Sequence, residues 1–134
     1  MSDDPLEALV TYRMEQAKET LEEARLMREA ERLRATVNRA YYAMFYAVQA
    51  LLARGGFKSS KHSGAISLFD REFVKTGAFG KDLSRWLHRA FDLRQDADYG
   101  DMSEVSAEQA SSTMENAEAF VNDVEEFLKE MKPD

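Results

Sequence analysis

The chain has 134 residues, no cysteine, two prolines and six glycines, with 18 Lys and Arg set against 25 Asp and Glu, for a net charge of −7. That length suits a single domain, residues 1–134, with enough core to stand without disulfides; the absence of cysteine excludes disulfides, thiolate metal sites and cysteine nucleophiles. The charge is segregated, residues 1–24 summing to −5, 25–94 to +8, 95–99 to −2 and 100–134 to −8, so the acidic average does not dismiss an anionic partner for the middle of the chain.

The prolines, Pro5 and Pro133, lie at the edges, and the glycines cut the chain at Gly55-Gly56, at Gly77 to Gly80 and at Gly100. A first helix is predicted to open at Asp4 as N-cap with Pro5 at N1 and Glu7 at N3. Its apolar stripe is Leu6, Val10, Met14, Ala17, Leu21 and Ala24. Glu29 to Arg32 mark its end or a bend. The second stripe, Leu33, Val37, Ala40-Tyr41, Met44-Phe45, Val48 and Leu51-Leu52, is wide enough to be buried from more than one side. A short third segment carries Ile66, Phe69 and Phe73 and stops near Gly77. The fourth runs from Lys81 to Tyr99 with Leu83, Trp86-Leu87, Ala90 and Leu93 inward. The fifth opens on a capping box, Ser106 with Gln109, and carries Ala110, Met114, Ala117, Val121, Val124, Leu128 and Met131 at alternating spacings of four and three. Short connections between such helices make neighbours antiparallel. The expected fold is all-α, an antiparallel up-and-down bundle of four long helices plus one short helix.

No apolar run reaches the roughly 18 residues of a membrane span, and the N-terminus lacks the basic and apolar regions of a signal peptide. A cytoplasmic location with no membrane association is the expectation. Glycine-loop and nucleophile-elbow motifs are absent, as are HExxH and paired Glu-x-x-His motifs. With His62 and His88 as the two histidines, no metal or other cofactor is expected.

Three polar clusters remain. The first, on the second helix, is Arg34, Asn38, Arg39, Tyr41, Tyr42 and Tyr46; of these Arg34, Asn38, Tyr42 and Tyr46 recur every four residues and line one face, where hydroxyls beside a guanidinium suit a phosphate or a base, whereas Tyr41 belongs to the apolar stripe and reads as core. The second cluster, Lys58-Ser59-Ser60-Lys61-His62-Ser63, sits at a helix N-terminus, where amides and dipole favour anions; the plainer reading is a loop with Ser60 or another serine as N-cap. The third, Arg94-Gln95-Asp96-Ala97-Asp98-Tyr99, puts a guanidinium at the edge of a buried face with Asp98 four residues on. It reads either as a structural ion pair or as an arginine held ready for phosphate.

In this order, Asn38-Arg39-Ala40-Tyr41-Tyr42-Ala43-Met44-Phe45-Tyr46-Ala47, Ser60-Lys61-His62-Ser63-Gly64 leading to Phe69, and the R-x-x-A-D-Y of Arg94 to Tyr99 resemble a HEPN domain, in particular its small stand-alone prokaryotic members. The resemblance covers essentially the whole chain. It implies a bundle that forms a homodimer with the polar helix ends in a shared cleft. Many such proteins are metal-independent RNases, often toxins paired with a minimal nucleotidyltransferase antitoxin, which in some systems adenylylates a tyrosine near the motif. The family's Arg-x4–6-His motif matches at Arg94 but not at its histidine, since positions 99 to 101 are Tyr99, Gly100 and Asp101. An ordinary tyrosine, with pKa about 10, is a poor base at neutral pH.

The leading expectation is therefore a non-catalytic or weakly catalytic HEPN module. It would bind nucleotide, RNA or a minimal nucleotidyltransferase through Asn38, Tyr42, Lys61, His62, Arg94, Asp98 and Tyr99, with Tyr99 as the modifiable tyrosine. The alternatives are an RNase toxin using Arg94 and His62 as catalytic residues, which requires the fold to bring the two side by side, and a plain dimerisation or scaffold bundle.

Overall fold

The computed structural model describes residues 4–99 and 104–131, with the side chains of Asp98 and Tyr99 outside the description. The elements are α1 (Pro5–Glu29), α2 (Leu33–Gly55), α3 (His62–Phe69) running directly into a π-helical turn (Asp70–Val74), α4 (Lys81–Tyr99) and α5 (Ala107–Glu130). This is the expected all-α bundle. The π turn was not legible in the sequence.

Local chemistry sets the boundaries. Asp4 caps α1, its Oδ1 accepting from the Leu6 amide at 2.9 Å, and Pro5 fills the first turn. The break before α2 is a left-handed turn on a non-glycine residue, Glu31 at φ 59°, which lets the Arg32 amide donate back to the Met27 carbonyl at 2.8 Å. At the other end of α2 the same device uses Gly56 at φ 80°, with the Phe57 amide donating to Leu52 O at 2.8 Å. Ser106 and Gln109 cap α5 reciprocally, at 3.0 and 2.9 Å. The Ser60 cap does not occur. Lys61 occupies the N-cap of α3 with no side-chain cap bond, and Ser59 Oγ instead donates to the Lys61 carbonyl at 3.2 Å.

Cross-helix pairs fix the direction of packing. Glu7 at the start of α1 pairs with Arg54 at the end of α2, and Glu23 near the end of α1 pairs with Arg39 near the start of α2, so the two are antiparallel. Lys18 with Glu125 and Arg25 with Glu118 run α5 antiparallel to α1. Arg34 donates to the Ala97 carbonyl, and the Tyr41 ring lies 5.7 Å from that of Phe91, so α4 is antiparallel to α2. These pairs also answer where the acidic ends lie: carboxylates of α1 and α5 are matched to cations of α1 and α2.

α2 is the central element, packed against α1, α3, α4 and α5. Twelve of its residues are buried, four of them alanines at 40, 43, 47 and 50 that allow close approach of neighbours. The main core runs along α2 to a set of aromatic rings, Phe69, Phe73, Phe79, Phe120 and Phe127. A smaller core of Val37, Ala97, Val105 and Ala110 seats the end of α4 on the start of α2. Leu6 and Met131, expected inward, are 39% and 40% exposed; Leu6 lies in the first turn of α1 and Met131 just past the end of α5. Trp86 and Leu93 are only partly buried.

Candidate functional site

Tyr41 and Tyr42 occupy adjacent positions of α2 and so point to different sides of the helix. The Tyr41 ring is fully buried; Tyr42 is at the rim. α3 enters beside them with His62 as its first residue, and α4 passes with Phe91 and Arg94. His62 and Arg94, 32 residues apart in sequence, meet over the same two tyrosines.

The imidazole of His62 stacks on Phe45 with centroids 4.2 Å apart and planes 8° from parallel, and it meets Tyr42 edge-on at 5.6 Å. Its Nδ1 is hydrogen-bonded to the Tyr41 hydroxyl at 2.6 Å. The guanidinium of Arg94 lies 5.4 Å from the Tyr41 ring centroid and 5.3 Å from that of Tyr42. Arg39 also approaches the Tyr42 ring, at 5.2 Å from its centroid. The site is thus an aromatic seat holding one imidazole and bordered by two guanidinium groups.

Electrostatics keep the hydrogen-bonded pair neutral. Burial lowers the His62 pKa from its ordinary 6.5, and the Arg94 charge pushes it further the same way. Burial holds the Tyr41 phenol well above its usual value, opposed by Arg94 and reinforced by Tyr42. At neutral pH the phenol keeps its proton, and one imidazole nitrogen retains a lone pair. Which nitrogen that is follows from the Tyr41 bond: if Tyr41 donates, Nε2 carries hydrogen, and if Tyr41 accepts, Nε2 is free to take a proton.

The sequence-predicted residues divide accordingly. Tyr42, His62 and Arg94 come together. Asn38 lies one turn away, its Oδ1 accepting from Arg39 Nη2 at 2.8 Å and Nε at 3.1 Å, so it orients the guanidinium that covers Tyr42. Lys61 is exposed at the N-cap of α3, beside the cluster and lining a neighbouring groove. The side chains of Asp98 and Tyr99 lie outside the described residues. His88 belongs elsewhere, with its Nε2 2.6 Å from Asp70 Oδ2. Among the described residues no group of three His, Asp or Glu side chains is placed to hold a metal ion, and no helix is long and apolar enough to cross a membrane. Sequence reading placed Arg39 in the first polar cluster without giving it a role, and it missed the Tyr41 hydroxyl and Phe45. The spacing of Phe45, four after Tyr41 and three after Tyr42, was the available sign that they share a face.

The HEPN domain model matches residues 10–132, nearly the whole chain and all three polar clusters. The chain belongs to the HEPN family. A UPF0332 protein of Thermotoga maritima is 40% identical over 126 residues, covering 94% of this chain and 96% of that one. Two proteins of Methanocaldococcus jannaschii, named "Putative toxin MJ0142" and "Putative toxin MJ0605", are 33% and 35% identical; the matches cover 86% and 88% of this HEPN chain and 78% and 87% of theirs.

Proposed function

We propose that this HEPN protein is an RNA-directed toxin that engages a phosphodiester at the Tyr41–Tyr42–His62–Arg94 cluster and cleaves it without a metal ion. The observation that carries the reading is the meeting of His62 from α3 and Arg94 from α4 over one pair of tyrosines. It supplies an imidazole where the Arg-x4–6-His spacing lacks one, and so favours the RNase alternative over the non-catalytic module. The names of the two M. jannaschii relatives agree with a toxin-like role.

In this reading Tyr41 accepts from the Nδ1–H of His62, leaving Nε2 to remove the proton of a ribose 2′-hydroxyl. The 2′ oxygen attacks phosphorus, the bond to the 5′ oxygen breaks, and that oxygen takes a proton from the imidazolium or from water. Products are a 2′,3′-cyclic phosphate and a 5′-hydroxyl. Arg94 offsets the charge that grows on the non-bridging oxygens, and Arg39 and Tyr42 hold the substrate's other face. The lowered His62 pKa keeps the base unprotonated at neutral pH.

A second reading has its own observation. The same 2.6 Å bond also fits the Tyr41 phenol donating to Nδ1, which makes Nε2–H a donor to phosphate and the site a binder of RNA or nucleotide without turnover. Incubation of the purified protein with RNA oligonucleotides in EDTA separates the two. Cleavage to cyclic phosphate ends, abolished by Arg94→Ala and by His62→Ala, supports the RNase. Intact RNA bound in an Arg94-dependent way supports the binding module, and RNA that is neither cleaved nor bound removes both. We further propose a homodimer, to be read by light scattering, and a minimal nucleotidyltransferase as partner, to be read by co-purification of the co-expressed pair.

A further inference from the structure

Beside the cluster, a groove of about 810 Å³ runs between the N-terminal half of α1 and the loop of residues 56–61. Its floor is apolar, with Leu6 and Leu9 of α1 respectively 39% and 41% exposed and Phe57 facing them across the groove. Arg13, Lys58 and Lys61 line it, and no carboxylate does. Among the described residues none of these three cations has a carboxylate within ion-pair distance, although Arg13 Nη1 donates to Gln16 at 3.0 Å. The loop wall is preformed: Gln49 Nε2 donates to the Ser59 carbonyl at 3.3 Å, and a Cβ on Gly55 would stand 2.8 Å from the Phe57 ring, so glycine there permits the ring to lie against the helix end.

At the other end of the same α2 face lies a second depression, of about 700 Å³, lined by Arg34, Asn38 and Arg39 but also by Glu23. Its cations are engaged: Arg39 pairs with Glu23 at 3.4 Å, and Arg34 donates to the Ala97 carbonyl. The two ends therefore differ in what they offer an anion. We propose that single-stranded RNA, continuing from the phosphate held at Arg94, lies in the first groove, with base faces on Leu6, Leu9 and Phe57 and phosphates on Lys61, Lys58 and Arg13. Lys61 precedes His62 in the chain and carries the strand from one to the other. The inference rests on the RNA reading of the cluster and adds the direction and length of the substrate.

The test uses fluorescently labelled oligouridines of three and eight nucleotides carrying 2′-O-methyl groups, which cannot be cleaved, with Kd measured by anisotropy at several salt concentrations. The octamer is expected to bind tighter than the trimer. Removing two phosphate contacts with Arg13→Gln and Lys58→Gln should lower the single-strand salt slope by about 1.4 and weaken the octamer about 25-fold at 0.1 M salt. The length preference should collapse. An unchanged preference, in a protein whose RNA binding is lost with Arg94→Gln, overturns the groove and leaves the cluster standing. Absence of wild-type binding to either length overturns both. Variants that keep RNA affinity but change oligomeric state or capture of a protein partner assign the groove to a protein interface and overturn the inference.

Discussion

Replacing Tyr41 with Phe removes one oxygen and leaves the rest of a fully buried ring in place. The stacking against Phe45 at 6.1 Å and the approach to Phe91 at 5.7 Å survive, so no cavity term arises. What is lost is the 2.6 Å bond to His62, whose partly exposed imidazole can turn to water. The net cost is then about 1 kcal/mol, which for a chain of this length lowers Tm by about 4 °C. The functional consequence is larger, because an imidazole freed from its partner is held less well against the scissile group, and misplacement of that kind costs up to ~100-fold in kcat. A structural role alone would not move the pH profile. If Tyr41 accepts from Nδ1–H, it stabilises the imidazolium, and its loss shifts the acid limb of the cleavage rate to lower pH. Thermal melts together with pH–rate profiles on a fluorogenic RNA read all three quantities. An acid limb that stays put or moves to higher pH would refute the assignment of Tyr41 as acceptor, and with it His62 Nε2 as base.

Three further outcomes follow from the structure. In a proton NMR titration the His62 midpoint should fall below 6.5 and rise towards it in Arg94→Gln, since the guanidinium is one cause of the depression. Because the unfolded chain then binds the proton more readily than the folded one, His62 makes stability decline as pH falls through 6.5 towards the folded midpoint; His62→Gln should remove that part of the pH dependence. At the far end of α2, Glu7→Gln strands the Arg54 guanidinium, whose side chain is 9% exposed and whose Nε and Nη1 already lack partners among the described residues. Urea denaturation should show a loss of about 3 kcal/mol, largely recovered in the double variant Glu7→Leu, Arg54→Met.

Most of the fold was written in spacing and punctuation. Asp4-Pro5, Gly55-Gly56 and Ser106 with Gln109 act within a few residues of themselves, so their effects can be read without knowing the tertiary structure. The π turn at Asp70–Val74 is different: it keeps Phe69 and Phe73 both inward while Asp70 accepts from Ser84 Oγ at 2.7 Å and reaches His88, partners that belong to another helix. The site follows the same division. Tyr42 and Arg94 stand out locally as polar groups beside apolar stripes. Tyr41 does not, since a residue on the buried stripe announces packing, and its hydroxyl has a task only because α3 brings His62 to it. The Ser60 cap failed for a related reason, as Ser59 closes the loop onto the Lys61 carbonyl and Lys61, not a serine, stands at the start of α3.

The site is assembled from elements of unequal thermodynamic depth. α2 is enclosed on several sides, so its amides exchange with solvent chiefly when the whole bundle opens. α3 is eight residues long, buries Ala65, Ile66 and Phe69, and has no side-chain cap at its start, too short to persist as a helix once undocked. His62 therefore rides on the element of the cluster least able to hold its helix alone, and the amides of α3 are expected to exchange with solvent before those of α2.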